Sequence, residues 1–294
     1  MSASTPRFSI VVPAYNAAST LDAAISSVLA QQGFDAFELV ITNDGSTDDT
    51  LPIAESYAAR DPRVRVFSQP NAGAGAAISS AIERAEGEFC VQLGADDELL
   101  PDHCTTMSAF IDANPGYDIY ASNAFRLHPD GRRTLYHTGP RFERVMSLEL
   151  DDLLDAPQIF GGAAFCRELF SRVGGFRSDF YNEDYDFWLR AMIAGARHIY
   201  TPEPLALYRV RAGQKTADGI RMREDDIAIL RDAVTSGGLS PAQVAHAERT
   251  VALLEKNVRF RRAVLRVLGE RLSRPVFALA HRLAYAVRPH RRAR

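Results

Sequence analysis

Cysteine is scarce in this chain: Cys90, Cys104 and Cys166 are the only three in 294 residues. An odd number without a Cys-x-x-Cys spacing argues against a disulfide framework and fits a reducing compartment, so the cytoplasm is the expected location. No run of eighteen or more apolar residues occurs, and no spanning helix is predicted. No signal-peptide pattern is expected, because Arg7 runs at once into a short strand-like stretch broken at Pro13. The seven histidines show no metal-ligand spacing. A formal net charge of -3 argues against a nucleic-acid partner for the chain as a whole. That small charge hides an asymmetry, since Lys256 to Arg294 holds twelve basic residues and one acidic one.

What the chain does have is apolar material for a packed core, 46% of its residues. Phe8 to Val12 reads as a buried strand, and Leu21 to Leu29 follows with a helical stripe of Leu21, Ala24, Ile25, Val28 and Leu29. The rhythm repeats with strands at Phe37 to Thr42, Val64 to Phe67 and Phe89 to Leu93, and helices at Thr47 to Ala59 and Ala76 to Ala85. Such alternation predicts an α/β fold with a doubly wound, mostly parallel sheet. Ser46 or Thr47 is the expected helix cap, with Asp48 and Asp49 in the first turn. After a helix ending near Asp112, Ile119 to Leu127 and Arg133 to His137 flank an Asp130-Gly131 hairpin turn. Gly161 and Gly162 precede a short apolar run, Ala163 to Cys166, and Gly174-Gly175 ends the following helix. From Ile220 onward only helix patterns occur, with breaks expected at Gly237-Gly238 and Pro275.

Two acidic elements each close a strand-like run: Asn43-Asp44-Gly45-Ser46 and Gly94-Ala95-Asp96-Asp97-Glu98. In an open parallel sheet, ligands bind beyond the carboxyl ends of the strands, so Asp44 and the Asp96/Asp97 pair are expected to converge on one crevice. Read in order, Val11-Val12-Pro13-Ala14-Tyr15-Asn16-Ala17, the stretch Asn43 to Thr50, Asn71-Ala72-Gly73-Ala74-Gly75, Ala95-Asp96-Asp97, Gly161 to Phe176 and Asn182 to Arg190 closely resemble family 2 inverting glycosyltransferases. Their fold, GT-A, is the fold expected here: a mixed, mostly parallel sheet flanked by helices, with a helical C-terminal extension. The resemblance covers roughly residues 7 to 215. It implies a GT-A domain over 1–219, divided into a nucleotide-binding half (7–115) and an acceptor-side half (116–219), with a basic helical extension over 220–294.

The resemblance also assigns expected roles. Pro13, Ala14, Tyr15 and Asn16 would meet the nucleotide, Asp44 would accept from a uracil ring N–H, and Asn71 and Gly73 would lie beside the donor. Asp96 would hold ribose hydroxyls, and Asp97, with Asp96, a Mg²⁺ or Mn²⁺ ion, because hard cations prefer carboxylate oxygens and bridge to phosphates. Many relatives carry a further Asp where this chain has Gly94. Asp184 matches the catalytic base, with Glu183 as its substitute. Trp188 lies four residues on, near the same helix face. It is assigned to the acceptor side, with core packing as the stronger reading. Arg211 stands where many relatives have a histidine. Since a guanidinium binds phosphate but not a cation, Arg211 and Lys215 are expected at the leaving diphosphate.

The expected activity is transfer of a sugar from a nucleoside diphosphate sugar, a UDP-sugar, to a hydroxyl of a cell-surface or lipid-linked glycan. A sugar nucleotidyltransferase is the first alternative, but Pro13-Ala14-Tyr15-Asn16 is not its Gly-x-Gly-Thr-Arg-type loop. A nucleotide-sugar-binding relative without turnover is the second. In the tail, the stripe Val264, Leu268, Leu272, Val276, Leu283 and Val287, flanked by arginines, suits peripheral contact with the cytoplasmic membrane face.

Overall fold

The computed structural model describes the backbone of residues 5–159, 162–211 and 213–287, and the side chains of these as far as residue 268. Gly161, and the side chains of Leu272, Val276, Leu283 and Val287, lie outside the described residues.

The amino-terminal half alternates β1 (Phe8–Ala14), α1 (Leu21–Leu29), β2 (Phe37–Asp44), α2 (Thr50–Ala58), β3 (Val64–Gln69), α3 (Ala74–Glu83) and β4 (Phe89–Gln92). β1 pairs in parallel with β2 and β4, and β2 with β3. Their continuous apolar runs reflect burial on both faces. Ile10, Val12, Leu39 and Ile41 pack on one side of the sheet with Leu21 and Ile25 of α1. Val11 and Val40 pack on the other with Ile78 and Ile82 of α3. Each fully buried aliphatic side chain of this kind contributes about 1.5–3 kcal/mol.

The remaining elements are β5 (Glu98–Leu99), α4 (His103–Ala113), β6 (Ile119–Leu127), β7 (Arg133–Leu135), α5 (Leu150–Asp155), β8 (Ala164–Cys166), α6 (Arg167–Val173), α7 (Glu183–Ile193), β9 (His198–Arg209), α8 (Gly219–Thr235) and α9 (Pro241–Val287). Among the described residues they complete one mixed sheet in the order β3-β2-β1-β4-β8-β6-β9-β5, with β7 paired to β6. β8 runs antiparallel to both β4 and β6, and so joins the two halves. The helices α8 and α9 pack on each other and against α7 and α5.

Two local expectations are corrected. α2 starts at Thr50, not Thr47, with Asp49 at the N-cap, because the Asp48 carboxylate accepts from the Thr50 N–H (3.0 Å) and hydroxyl (2.5 Å) and holds the preceding residues in a turn. α9 continues through Pro275 without the expected break, since a proline removes one backbone bond while the turns on either side keep theirs.

Candidate active site

The carboxyl ends of β1, β2 and β4 place three loops along one edge of the sheet. The first two are stitched together. Asn16 holds φ at 48°, a left-handed conformation that asparagine tolerates. Its side-chain oxygen accepts from the Thr47 N–H at 2.9 Å, and its own N–H donates to the Ser46 hydroxyl at 3.0 Å. Tyr15 is left 53% exposed, a large aromatic at the rim of these loops.

Asp44 is buried beneath this edge. Its Oδ1 accepts from Gln69 Nε2 (2.8 Å) and the Ala72 N–H (2.9 Å), and its Oδ2 from the Gly73 N–H (2.9 Å). The carboxylate therefore fastens the loop that leads into α3 and keeps one lone-pair position open. Gly45 is required there, because a side chain on it would meet the Asn71 backbone nitrogen at 2.8 Å with φ at +71°. Gly73 then forms the entry to α3.

The acidic turn after β4 is held by the end of β9. The Arg209 N–H donates to Asp97 Oδ1 at 2.9 Å, Arg209 Nε to the Asp96 carbonyl at 3.2 Å, and the Arg209 guanidinium pairs with Glu98. Arg211 Nε donates to Asp96 Oδ2 at 2.7 Å. One oxygen of each aspartate is thus engaged. The other two, Asp96 Oδ1 and Asp97 Oδ2, each lie 3.0 Å from the point where a side chain on Gly94 would begin. The missing side chain leaves a cradle lined by two carboxylate oxygens. Burial, and next the Asp96 charge, push the Asp97 carboxyl well above the usual carboxylate range, against the Arg209 N–H and the Arg209 and Arg211 charges. A divalent cation would relieve that cost. Among the described residues no group of three or more His, Cys, Asp or Glu could hold a metal. Two carboxylates suffice for an ion that keeps water and phosphate ligands, so the cradle fits Mg²⁺ or Mn²⁺.

A second acidic group lies at the start of α7. The Asn182 N–H donates to Asp225 at 2.5 Å and its side chain to Asp226 at 2.9 Å, which ties this end to α8. Glu183 is buried and paired with the Lys215 ammonium, whose Nζ lies 4.7 Å from the centre of the Tyr181 ring. The half-buried Asp184 carboxyl is pushed up to about 6 by burial and then by the Glu183 charge, with Lys215 and the Tyr185 N–H pulling the other way. Asp186, one turn further in, is a core residue clamped by Arg177 and Arg190.

Tyr136 lies just past β7. Burial raises its hydroxyl to about 12, and the charges of both Asp184 and Asp97 add to that rise. Arg126 lies over the Tyr136 ring at 4.4 Å, and Tyr208 meets it edge-on at 5.5 Å. A cleft of about 540 Å³ opens beside this region, lined by Gly73, Gly75, Tyr181, Glu183, Lys215 and Arg221 among others.

Trp188 is 1% exposed and packs among Phe165, Phe176 and Phe187, which agrees with the stronger reading, core packing, and removes it from the acceptor side. Arg211 and Lys215 do not share a partner: the first pairs with Asp96 and the second with Glu183. Sequence reasoning passed over Tyr136 and Arg126, which reach the site only through the β6–β7 pairing and carry no motif.

Comparison with known proteins agrees with this architecture. The sequence model described as "Glycosyl transferase family 2" matches residues 9–174. The chain is 32% identical over 218 residues to a chondroitin synthase of Pasteurella multocida (strain Pm70), which covers 72% of this chain and 21% of the synthase. It is similar to the same extent, with the same coverage, to a hyaluronan synthase of Pasteurella multocida. The chain thus spans about a fifth of the length of these relatives. In three dimensions it is similar to S. aureus TarS in complex with UDP-GlcNAc, with a TM-score of 0.69 and 21% identity over 92% of this chain and 78% of that one. It is also similar to the mannosyltransferase PcManGT from Pyrobaculum calidifontis in complex with GDP-Man and Mn²⁺, with a TM-score of 0.65 and 22% identity over 96% of this chain and 81% of that one. Both likenesses bear on the fold, which is GT-A.

Proposed function

We propose a function from one premise: the chain belongs to glycosyl transferase family 2. On our reading it transfers a sugar, with inversion, from a nucleoside diphosphate sugar to a hydroxyl of a cell-surface or lipid-linked glycan. The observation that carries this is the Asp96/Asp97 turn, whose free Oδ1 and Oδ2 face the space left by Gly94, with Asp184 near enough that its charge and that of Asp97 both reach the Tyr136 hydroxyl. UDP is the nucleotide we assign, through Asp44 and the base-sized ring of Tyr15. The UDP-GlcNAc held by TarS supports the donor class.

In this scheme Asp184 takes the proton of the acceptor hydroxyl while that oxygen attacks the anomeric carbon and the bond to the diphosphate breaks. A carboxylate raised to about 6 remains ionised at neutral pH yet binds a proton more strongly than an ordinary one, which suits a general base. Asp96 orients the ribose. Arg211 exchanges its carboxylate partner for the departing diphosphate, which its planar fork grips in two places. Asp97 and Asp96 would hold a divalent ion, which when bound supplies electrostatic stabilisation to the leaving group. A single displacement of this kind inverts the anomeric centre and needs no covalent intermediate.

The test is nucleotide release from UDP-GlcNAc, UDP-glucose, UDP-galactose and GDP-mannose, with and without Mn²⁺. Release of UDP above background by the native chain, abolished in Asp184→Asn, is the expected outcome. Tight donor binding by thermal shift without any release would overturn the catalytic reading.

A further inference from the structure

Helix α9 carries an apolar face that the fold leaves uncovered. Its inner side, with Ala247, Thr250, Val251 and Val258, is buried. Its outer side exposes Leu253 (65%), Phe260 (46%) and Val267 (80%), with Leu268 beside them. Intervals of seven residues drift by only about 20° each on an α-helix, so the first three form one ridge. Exposed cations accompany it: Arg249, Lys256, Arg259, Arg266 and Arg262, the last paired with Glu224 of α8. Glu255 is the single acidic residue from 249 to 268, and Arg231 and Arg259 already engage it. Beyond residue 268 the sequence adds seven arginines and one glutamate.

We propose that this face of α9 docks on an anionic lipid surface. An aligned row of large apolar side chains is a contact surface, and the cations beside it select a negatively charged partner. A second copy fits poorly, because a two-fold contact through the same face would bring the arginines of the two copies together. Nucleic acid would satisfy the cations but leave the aliphatic ridge in water. A bilayer satisfies both, with Leu253, Phe260 and Val267 at the acyl boundary and the guanidinium groups among the headgroup phosphates. Each basic residue near such a surface strengthens binding about fivefold. No helix among the described residues is long and apolar enough to cross a membrane, so the contact proposed is peripheral. This inference stands independently of the transfer reaction, since vesicle binding is measured without donor or turnover.

The experiment is flotation of the full chain with phosphatidylcholine vesicles, plain or containing about one third phosphatidylglycerol. Binding is expected only to the anionic vesicles and to weaken as salt rises from about 0.1 to about 1 M. Phe260→Ser combined with Val267→Ser, and separately Arg259→Glu combined with Arg266→Glu, should each weaken binding at least about tenfold. All four side chains are exposed, so circular dichroism and Tm should match the native chain and show that the variants fold. Absence of flotation, or flotation that neither variant changes, overturns the proposal. A dimer lost in the Phe260→Ser, Val267→Ser variant without vesicle binding would assign the face to a second copy. Retention on a DNA duplex without vesicle binding would assign it to nucleic acid. Either result also overturns the proposal.

Discussion

Replacing Asp184 by Asn separates a catalytic carboxylate from a structural one, because the two roles predict opposite signs of stability change. The carboxyl stands at about 6, against 3.8 for an ordinary aspartate, so the folded state binds its proton more tightly than the unfolded chain does. For a raised acid the sign is unfavourable: ionisation in the folded state costs stability above about pH 6, and the cost fades as pH falls toward 3.8. A shift of about two units corresponds to about 3 kcal/mol; partial exposure and the shared charge of Glu183 reduce it to about 1–2 kcal/mol. Asn keeps the side-chain oxygen that accepts from the Tyr185 N–H at 2.7 Å and removes the charge. Asp184→Asn should therefore lose about 10²- to 10⁴-fold in kcat/KM and gain a few °C in Tm at pH 8. The gain should shrink as pH falls through 6 and approach zero only below about 3.8. Calorimetry across pH, together with nucleotide-release kinetics, reads both quantities. A lower Tm at pH 8, or activity within tenfold of the native enzyme, would refute the reasoning.

Lys215→Met removes a charge that holds the Asp184 carboxyl down, so the acidic limb of the kcat/KM profile should move up by about one pH unit; an unmoved limb detaches Lys215 from the base. Combining it with Arg211→Ala tests whether residues 211–215 act as one unit. A double-mutant cycle on kcat/KM should give a coupling of at least about 0.5 kcal/mol, and strict additivity would make them two independent cations. Gly94→Ala puts a methyl group 3.0 Å from Asp96 Oδ1 and from Asp97 Oδ2. The Mn²⁺ concentration for half-maximal turnover should rise about tenfold or more while Tm stays near the native value, and an unchanged metal requirement refutes the cradle. Trp188→Ala should cost about 3–5 kcal/mol in chemical denaturation, and a cost below about 1 kcal/mol would contradict its place in the core.

The parallel half of the sheet was legible because β1, β2 and β4 are buried on both faces, and burial on both faces writes itself as an unbroken apolar run. The β6–β7 hairpin was legible through Asp130-Gly131, whose glycine sits at φ +82°. The start of α2 was not, because Ser46, Thr47 and Asp48 are all good caps and only the three-dimensional loop decides that Asp48 turns back on Thr50. The acidic motifs could be read as candidates, but not which oxygens they leave open. That depends on Arg209 and Arg211, which reach them from more than a hundred residues away. Trp188 was legible as a core residue, but its partners were not. Its spacing from Asp184 suits a shared helix face, yet the ring packs against Phe165 of β8, a partner that no helical period reports.

The separation of Arg211 from Lys215 changes how the site is understood. Four residues apart in sequence, they suggest a single basic grip on one diphosphate. In the fold, β9 ends at Arg209, so Arg211 falls at the Asp96 side, while a short 3₁₀ turn beginning at Lys215 carries that ammonium to Glu183. Two cations four residues apart thus pair with two different acids, Asp96 and Glu183. On the proposed reading the donor brings its own negative charge to the same place, and Arg211 can turn to it only by releasing Asp96. Release frees an oxygen for the ribose or the cation at the moment the diphosphate arrives. Charge is then exchanged between partners rather than exposed, so an acidic cleft can admit an anionic donor.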